Sequence, residues 1–169
     1  NFSWPKNHEF LLRVFRALLA VQPESLLVLV GSGGEGEEKI RAEAQNPEWG
    51  GKIRLLGGRD DVAALLQGMD VFAFPSWFEG FGIAMLEAQA AGLPVVASDR
   101  VPEDGAVAPG HVNFLSLRES PGAWVEKILE ITDGWRRTDT SAAIRAAGLD
   151  IVHNVEKLQQ IYLEQGGGE

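Results

Sequence analysis

Two glutamates, Glu79 and Glu87, stand eight positions apart and bracket the turn Gly80-Phe81-Gly82. An ionised carboxylate is an acceptor suited to hydroxyl groups, and glycine lets backbone N–H groups come close to a ligand because no Cβ stands in the way. A helix opening near Phe81 or Gly82 would aim unpaired N–H groups and the positive end of its dipole into the same spot, which suits phosphate. Glu87 would then lie more than one turn into that helix, with Glu79 on the loop at the other side. The arrangement fits a ligand with phosphate in the middle and hydroxyl-rich groups at both ends, the layout of a nucleotide-sugar. The same residues also have a plainer reading. A glutamate before a helix is favoured by the macrodipole alone, and glycine-rich turns commonly follow strands.

These residues need a scaffold, and the apolar pattern supplies one. Phe10, Leu11, Val14, Phe15, Leu18 and Leu19 recur on one helical face, which predicts a helix from about His8 to Val21 with Pro23 beyond its end. Short aliphatic runs at Leu26–Val30, Lys52–Leu56, Val71–Phe74, Pro94–Ser98 and Val112–Leu115 read as strands covered on both faces. Between and after them, helices are expected at Glu35–Gln45, around Val62–Leu66 with Asp60 or Asp61 as cap, from Gly82 to about Ala91, at Pro121–Ile131, around Ser141–Ala147 and at Ile151–Gln165. Strands alternating with helices imply an α/β fold with a doubly wound parallel sheet and a ligand beyond the carboxyl ends of its strands. Three glycine-bearing corners, Gly31 to Gly34, Gly57 to Asp60 and Pro75 to Gly82, fall at such ends. The chain opens directly into a helix, whereas a doubly wound domain normally opens with a central strand.

Composition sets the class. At 169 residues the chain is one domain, taken as residues 1–165 with a disordered tail at 166–169. A formal net charge of −9 argues against nucleic acid or an anionic membrane as the main partner. The absence of cysteine excludes disulfides and thiolate metal sites, and no apolar run is long enough for direct membrane insertion. The expectation is a cytoplasmic protein.

The segments Pro75-Ser76-Trp77-Phe78-Glu79-Gly80-Phe81-Gly82, Leu86-Glu87-Ala88 and Ala91-Gly92-Leu93-Pro94-Val95-Val96-Ala97-Ser98 resemble the C-terminal, donor-binding domain of GT-B glycosyltransferases. More narrowly they are similar to the family-four type, the glycosyl transferases group 1, that builds exopolysaccharides and capsules. The paired glutamates match that family's Glu-x7-Glu element. The likeness extends to Lys6-Asn7-His8, Val30-Gly31-Ser32-Gly33 and Leu56-Gly57-Gly58-Arg59-Asp60-Asp61-Val62 upstream, and to Phe114-Leu115-Ser116-Leu117 downstream. It implies catalytic roles for Lys6, which would neutralise the donor diphosphate and assist departure of the nucleotide, and for Glu79, which would contact hydroxyls of the donor sugar. It implies donor-binding roles for Gly31, Ser32 and Gly33, for Gly58 and Arg59 near the base, for the backbone of Gly80, Phe81, Gly82 and Ile83 near the diphosphate, and for Glu87 on the ribose. The implied ligand is a nucleotide-diphosphate sugar, with UDP favoured; no cofactor or metal is implied, and the anomeric configuration would be retained.

Two departures stand against full activity. The family places a strand ending in Gly-Arg ahead of the lysine, and here Asn1 occupies the arginine's slot while the strand is missing. That strand is central in the usual order, so its loss would leave a gap in the sheet unless neighbours close it. The N-terminal domain that carries the acceptor site is also missing. The expected entity is therefore a donor half, inactive alone, whose partner is the missing acceptor domain or a self-associating copy. A non-catalytic remnant or interaction module with the same fold is the alternative. A further one is a nicotinamide or flavin dinucleotide site, since Gly31-Ser-Gly-Gly-Glu-Gly36 fits G-x-G-x-x-G, although Glu35 within it would repel a pyrophosphate. His8, His111 and His153 lack metal-ligand spacing and read as surface or capping groups, Trp124, Leu129 and Ile131 as a core face, and Arg136-Arg137 as a solvated pair.

Overall fold

The computed structural model of the chain describes residues 1–166. Helix α1 spans His8–Val21, β1 Leu27–Leu29, α2 Glu37–Ala44, β2 Ile53–Leu55, α3 Val62–Gln67, β3 Phe72–Phe74, α4 Ile83–Ala90, β4 Val95–Ser98, β5 Val112–Leu115, α5 Pro121–Thr132, α6 Ser141–Ala146 and α7 Ile151–Gly166. Gly166, the start of the expected tail, closes α7; the remaining positions 167–169 lie outside the described residues. Local chemistry sets the ends. α1 stops at Gln22, before Pro23; α5 begins at Pro121 after Ser120, whose hydroxyl accepts from the Ala123 N–H at 3.2 Å; α4 gives way to Gly92 at φ +71°. Among the described residues, no helix is long and apolar enough to cross a membrane.

All strand pairings are parallel, but the strands form two sheets, one of β1 and β2 and one in the order β3-β4-β5. In a doubly wound order 3-2-1-4-5-6, removal of strand 1 leaves these two groups, 3-2 and 4-5-6. The gap expected from the absent first strand is therefore present, and it lies between β1 and β3.

Two pieces of chain tie the halves together. Phe2 is buried with Phe15, Leu29, Ile40, Trp49 and Ile53 in the core of the two-stranded half. Its N–H donates to the Gly33 carbonyl at 2.7 Å and its carbonyl accepts from Gly36 N–H at 3.0 Å. A few residues on, Pro5 accepts from the Trp77 N–H at 2.7 Å, and Asn7 Nδ2 donates to the Pro75 carbonyl at 3.0 Å. Residues 1–7 thus run from the corner after β1 to the corner after β3. Helix α1 is the second tie. Phe15 enters the first core, while Phe10 and Val14 pack with Val96, Trp124, Val125 and Ile128.

The three-stranded half is the more deeply covered. Val95, Val96 and Ala97 of β4 are all fully buried. Val95 and Ala97 face Leu66, Met85, Ala88 and Leu93, whereas Val96 faces α1 and α5, as period-two alternation requires. Burial of one such aliphatic side chain stabilises the fold by about 1.5–3 kcal/mol. Trp124 is fully buried, as expected, with Leu129 and Ile131 packed against its cluster, and its indole N–H donates to the Ser116 carbonyl at 3.2 Å.

Polar straps complete this half. Gln89, fully buried, donates to the carbonyls of Met85 and Gly105 at 3.1 and 2.7 Å and accepts from the N–H groups of Val107 and Ala108, both at 2.9 Å. Arg136 and Arg137 are both exposed, as expected, but the Arg137 guanidinium also donates to the carbonyls of Leu66, Met69 and Ala91, tying the ends of α3 and α4 together. His111, read from sequence as a surface or capping group, is buried against Trp135 and contacts the Pro109 carbonyl and the Thr138 hydroxyl. Asp61 precedes α3, yet its carboxylate makes no cap; it is taken bidentately by Arg59 at 2.7 and 2.6 Å.

Candidate functional site

Glu79 sits at the end of the β3 corner with its side chain 9% exposed, and Lys6 reaches it from the segment before α1. Lys6 Nζ lies 2.8 Å from both carboxylate oxygens, and the Ser76 hydroxyl donates to Oε1 at 2.7 Å. These two residues are separated by more than seventy positions, and two backbone-level contacts bring them together. They are the Trp77–Pro5 and Asn7–Pro75 hydrogen bonds described above. Asn7 makes its contact from the left-handed conformation, φ +54°, which asparagine tolerates better than most residues.

After Glu79 the chain turns through Gly80 and Phe81 to Gly82, which caps α4 at φ +82°. A Cβ on Gly82 would be strained by that φ and would press on Val101 and Phe74 at 3.4 and 3.5 Å. Among the described residues, no protein acceptor takes the N–H groups of Gly80, Phe81, Gly82, Ile83 or Ala84. One turn on, Glu87 is exposed and its carboxylate makes no ion pair or hydrogen bond among the described residues. A cation, a set of free N–H groups at a helix start and an unpaired carboxylate thus follow one another along one rim.

The other two corners abut each other. Gly31 N–H donates to the Gly57 carbonyl at 2.8 Å, and Ser32 Oγ lies 3.1 Å from where a Cβ on Gly58 would stand. Arg59 keeps its guanidinium on Asp61, which holds that carboxyl below its usual range. The dinucleotide reading loses its physical basis here. Within the fingerprint the Gly33 N–H donates to Glu37 at 2.5 Å and the Gly31 and Gly36 N–H groups donate to the carbonyls of Gly57 and Phe2, while Glu35 accepts the Trp4 N–H at 2.6 Å. Those bonds hold both carboxyls below their ordinary range. The glycines serve passage of the chain, because a Cβ on Gly34 or Gly36 would come within 2.6 Å of Ser3 N or 2.5 Å of the Phe2 carbonyl.

His8 stands beside the site with its ring 4.9 Å from Phe2. Burial, helped by neighbouring positive charge including Lys6, pushes it down to about 4. The residues that sequence reasoning missed are Ser76, Ser98 and Asn7. Ser76 and Ser98 are fully buried at adjacent strand ends, and the Ser98 hydroxyl donates to the Ser76 carbonyl. A serine following an apolar strand was the available signal, though a turn explains it equally well. Among the described residues, no group of three or more His, Asp or Glu side chains converges as a metal site.

Comparison with known proteins gives this geometry its context. The chain is 34% identical over 167 residues to the putative glycosyltransferase EpsF of Bacillus subtilis, covering 96% of this chain and 42% of that protein. It is 28% identical over 145 residues to the UDP-Gal:alpha-D-GlcNAc-diphosphoundecaprenol alpha-1,3-galactosyltransferase of Escherichia coli, covering 84% of this chain and 38% of that enzyme. The chain therefore spans about two fifths of the length of these relatives. In structure it is similar to the pneumococcal O-GlcNAc transferase GtfA, solved with UDP and GlcNAc, at a TM-score of 0.78 and 20% identity over 99% of this chain and 35% of that one. It is also similar to Anabaena Alr3699/HepE, solved with UDP, at a TM-score of 0.69 and 23% identity over 95% and 46% of the two chains. The family model described as glycosyl transferases group 1 matches residues 1–148. With most of its length matched, the chain belongs to the glycosyl transferases group 1 family.

Proposed function

We propose that this chain is the donor half of a retaining GT-B glycosyltransferase and binds a nucleotide-diphosphate sugar, with UDP as the nucleotide. The observation that carries the reading is the sequence of groups along the β3–α4 rim. Lys6 and the free N–H groups of Gly80 to Ala84 suit a diphosphate, and exposed Glu87 suits ribose hydroxyls. Glu79 would then serve the sugar, and the abutting Gly31–Gly33 and Gly58–Arg59 corners would serve the base through backbone. In the transfer step Lys6 would stabilise the charge that builds on the departing diphosphate, which is electrostatic catalysis. The UDP in the solved GtfA and HepE structures and the naming of the Escherichia coli relative as a UDP-Gal-dependent galactosyltransferase support the same choice.

Residues 1–165 would act as one domain and rely on other chain for the acceptor. Ile151, Val155, Leu158 and Tyr162 recur along one side of α7 and are 74%, 53%, 52% and 70% exposed, surface that an acceptor domain or a second copy would cover. Calorimetric titration of UDP, GDP and their sugars tests the reading, with Glu87→Ala as the control. The expected result is binding of a uridine nucleotide that Glu87→Ala weakens by about 1–3 kcal/mol, the cost of losing a charged hydrogen-bond partner. A folded chain that binds neither nucleotide would instead be a non-catalytic module.

A further inference from the structure

We propose that Ser76 is a positioning residue: it holds the Glu79 carboxylate in place when Lys6 leaves it for the donor diphosphate. The inference rests on the nucleotide-sugar reading and adds to it a coupling between diphosphate and sugar recognition. The two oxygens of Glu79 are not equivalent. Oε1 receives both the Ser76 hydroxyl at 2.7 Å and Lys6 at 2.8 Å, whereas Oε2 receives Lys6 alone, also at 2.8 Å. A phosphate that drew Lys6 away would therefore free Oε2 as an acceptor for a sugar hydroxyl, while Oε1 stayed pinned.

Ser76 is built for that task rather than for packing. It is fully buried directly after Phe74 and Pro75. A buried hydroxyl is costly unless bonded, and the bond this one makes goes to Glu79. Its backbone is fixed in turn: Ser98 at the end of β4 donates to the Ser76 carbonyl and accepts the Arg100 N–H at 3.2 Å. Hydroxyl, carboxylate and ammonium thus form one chain from a rigid strand end to the rim. Without Ser76, a carboxylate released by Lys6 would be free to rotate, and ordering it would offset part of what the sugar contributes.

The test is calorimetric titration of UDP and of UDP-glucose, UDP-galactose and UDP-N-acetylglucosamine into the full chain. The unaltered chain is expected to bind one of the sugars more tightly than UDP. In Ser76→Ala the loss in affinity for that UDP-sugar should exceed the loss for UDP by about five- to tenfold, the net scale of one ordinary hydrogen bond. In a Glu79→Gln background the same change should cause no further selective loss. Ser76→Cys, which keeps the volume but donates weakly, should show the same selective loss should the alanine variant fail to fold. Equal losses for UDP and UDP-sugar would make Ser76 merely structural and overturn the proposal. So would an unaltered chain that binds UDP and all three sugars alike. If the unaltered chain binds no uridine nucleotide at all, the nucleotide-sugar reading fails and the role of Ser76 falls with it.

Discussion

The two-stranded and three-stranded halves hold themselves together by different means. In the three-stranded half β4 is fully buried, Gln89 satisfies four backbone groups from inside, and Arg137 clasps two helix ends from outside. In the two-stranded half no strand is central, and β1 and β2 each bury one residue, Leu29 and Ile53, much as the outer strand β3 buries Phe74. The glycine corner of the two-stranded half is filled by residues 1–3 of the same chain, with Phe2 in the core. The residues of the rim divide along the same line. Glu79, Glu87 and the free N–H groups rest on the strapped half, while Lys6 arrives on the thread that joins the two. The three-stranded half thus presents the acceptor groups and helix start, and the cation comes from the segment that joins the two halves.

Substitutions in each half should separate these two modes of support. The largest effect is expected from Gln89→Ala, which leaves four backbone groups to find other partners; it should destabilise the chain by about 3–5 kcal/mol in urea denaturation. A loss below about 1 kcal/mol would mean water replaces the side chain easily. Phe2→Ala should cost about 3 kcal/mol by removal of a buried ring. Its signature should be local: amide exchange should accelerate first in β1 and β2, and β4 should stay protected. Uniform acceleration would erase the distinction between the halves.

The smallest effect concerns pH. His8 is pushed from 6.5 down to about 4, so between those values the unfolded chain binds a proton that the folded chain resists. Stability should then fall as pH drops from about 6.5 toward 4, by about 1–2 kcal/mol for this partly solvated ring. The contribution is complete above 6.5. His8→Gln should flatten that part of the stability profile, leaving the slope due to carboxylates. An unchanged slope would remove His8 from the account.

Much of the architecture was legible because it is written in local pattern. The apolar period of Phe10 to Leu19 gave α1 its observed bounds, and each aliphatic run closed by glycine or proline became a strand within a residue or two. The break in the sheet was expected from the family likeness, which places the missing strand at the centre of the usual order. Glu79 stood out by its spacing to Glu87 and Lys6 through family likeness, and their direct contact came only with the fold. What stayed hidden depends on partners far along the chain. Nothing near Arg137 announces that it will meet carbonyls of Leu66 and Ala91, nor does a glutamine in a helix announce Gly105 and Ala108 as partners. Asp61 shows the converse, where a sound local rule for helix caps lost to Arg59 two residues away. Gly31, Gly33 and Gly36 looked like a phosphate fingerprint because sequence does not reveal that Phe2 and Ser3 pass over Gly34 and Gly36.

The position of α1 between two separate cores also bears on how the chain reaches its native state. Phe10 closes on Trp124 with ring centroids 5.3 Å apart, and these residues lie near opposite ends of the fold's sequence. Contacts of such long separation incur loop-closure entropy before they yield any stabilisation, and they slow folding. On the ribosome, Phe15 can settle against Trp49 well before Trp124 is made, their rings ending 5.8 Å apart. The face of α1 that carries Phe10 and Val14 must wait for α5. Until Trp124 emerges, one side of α1 remains wetted, and closure of this core is timed by α5.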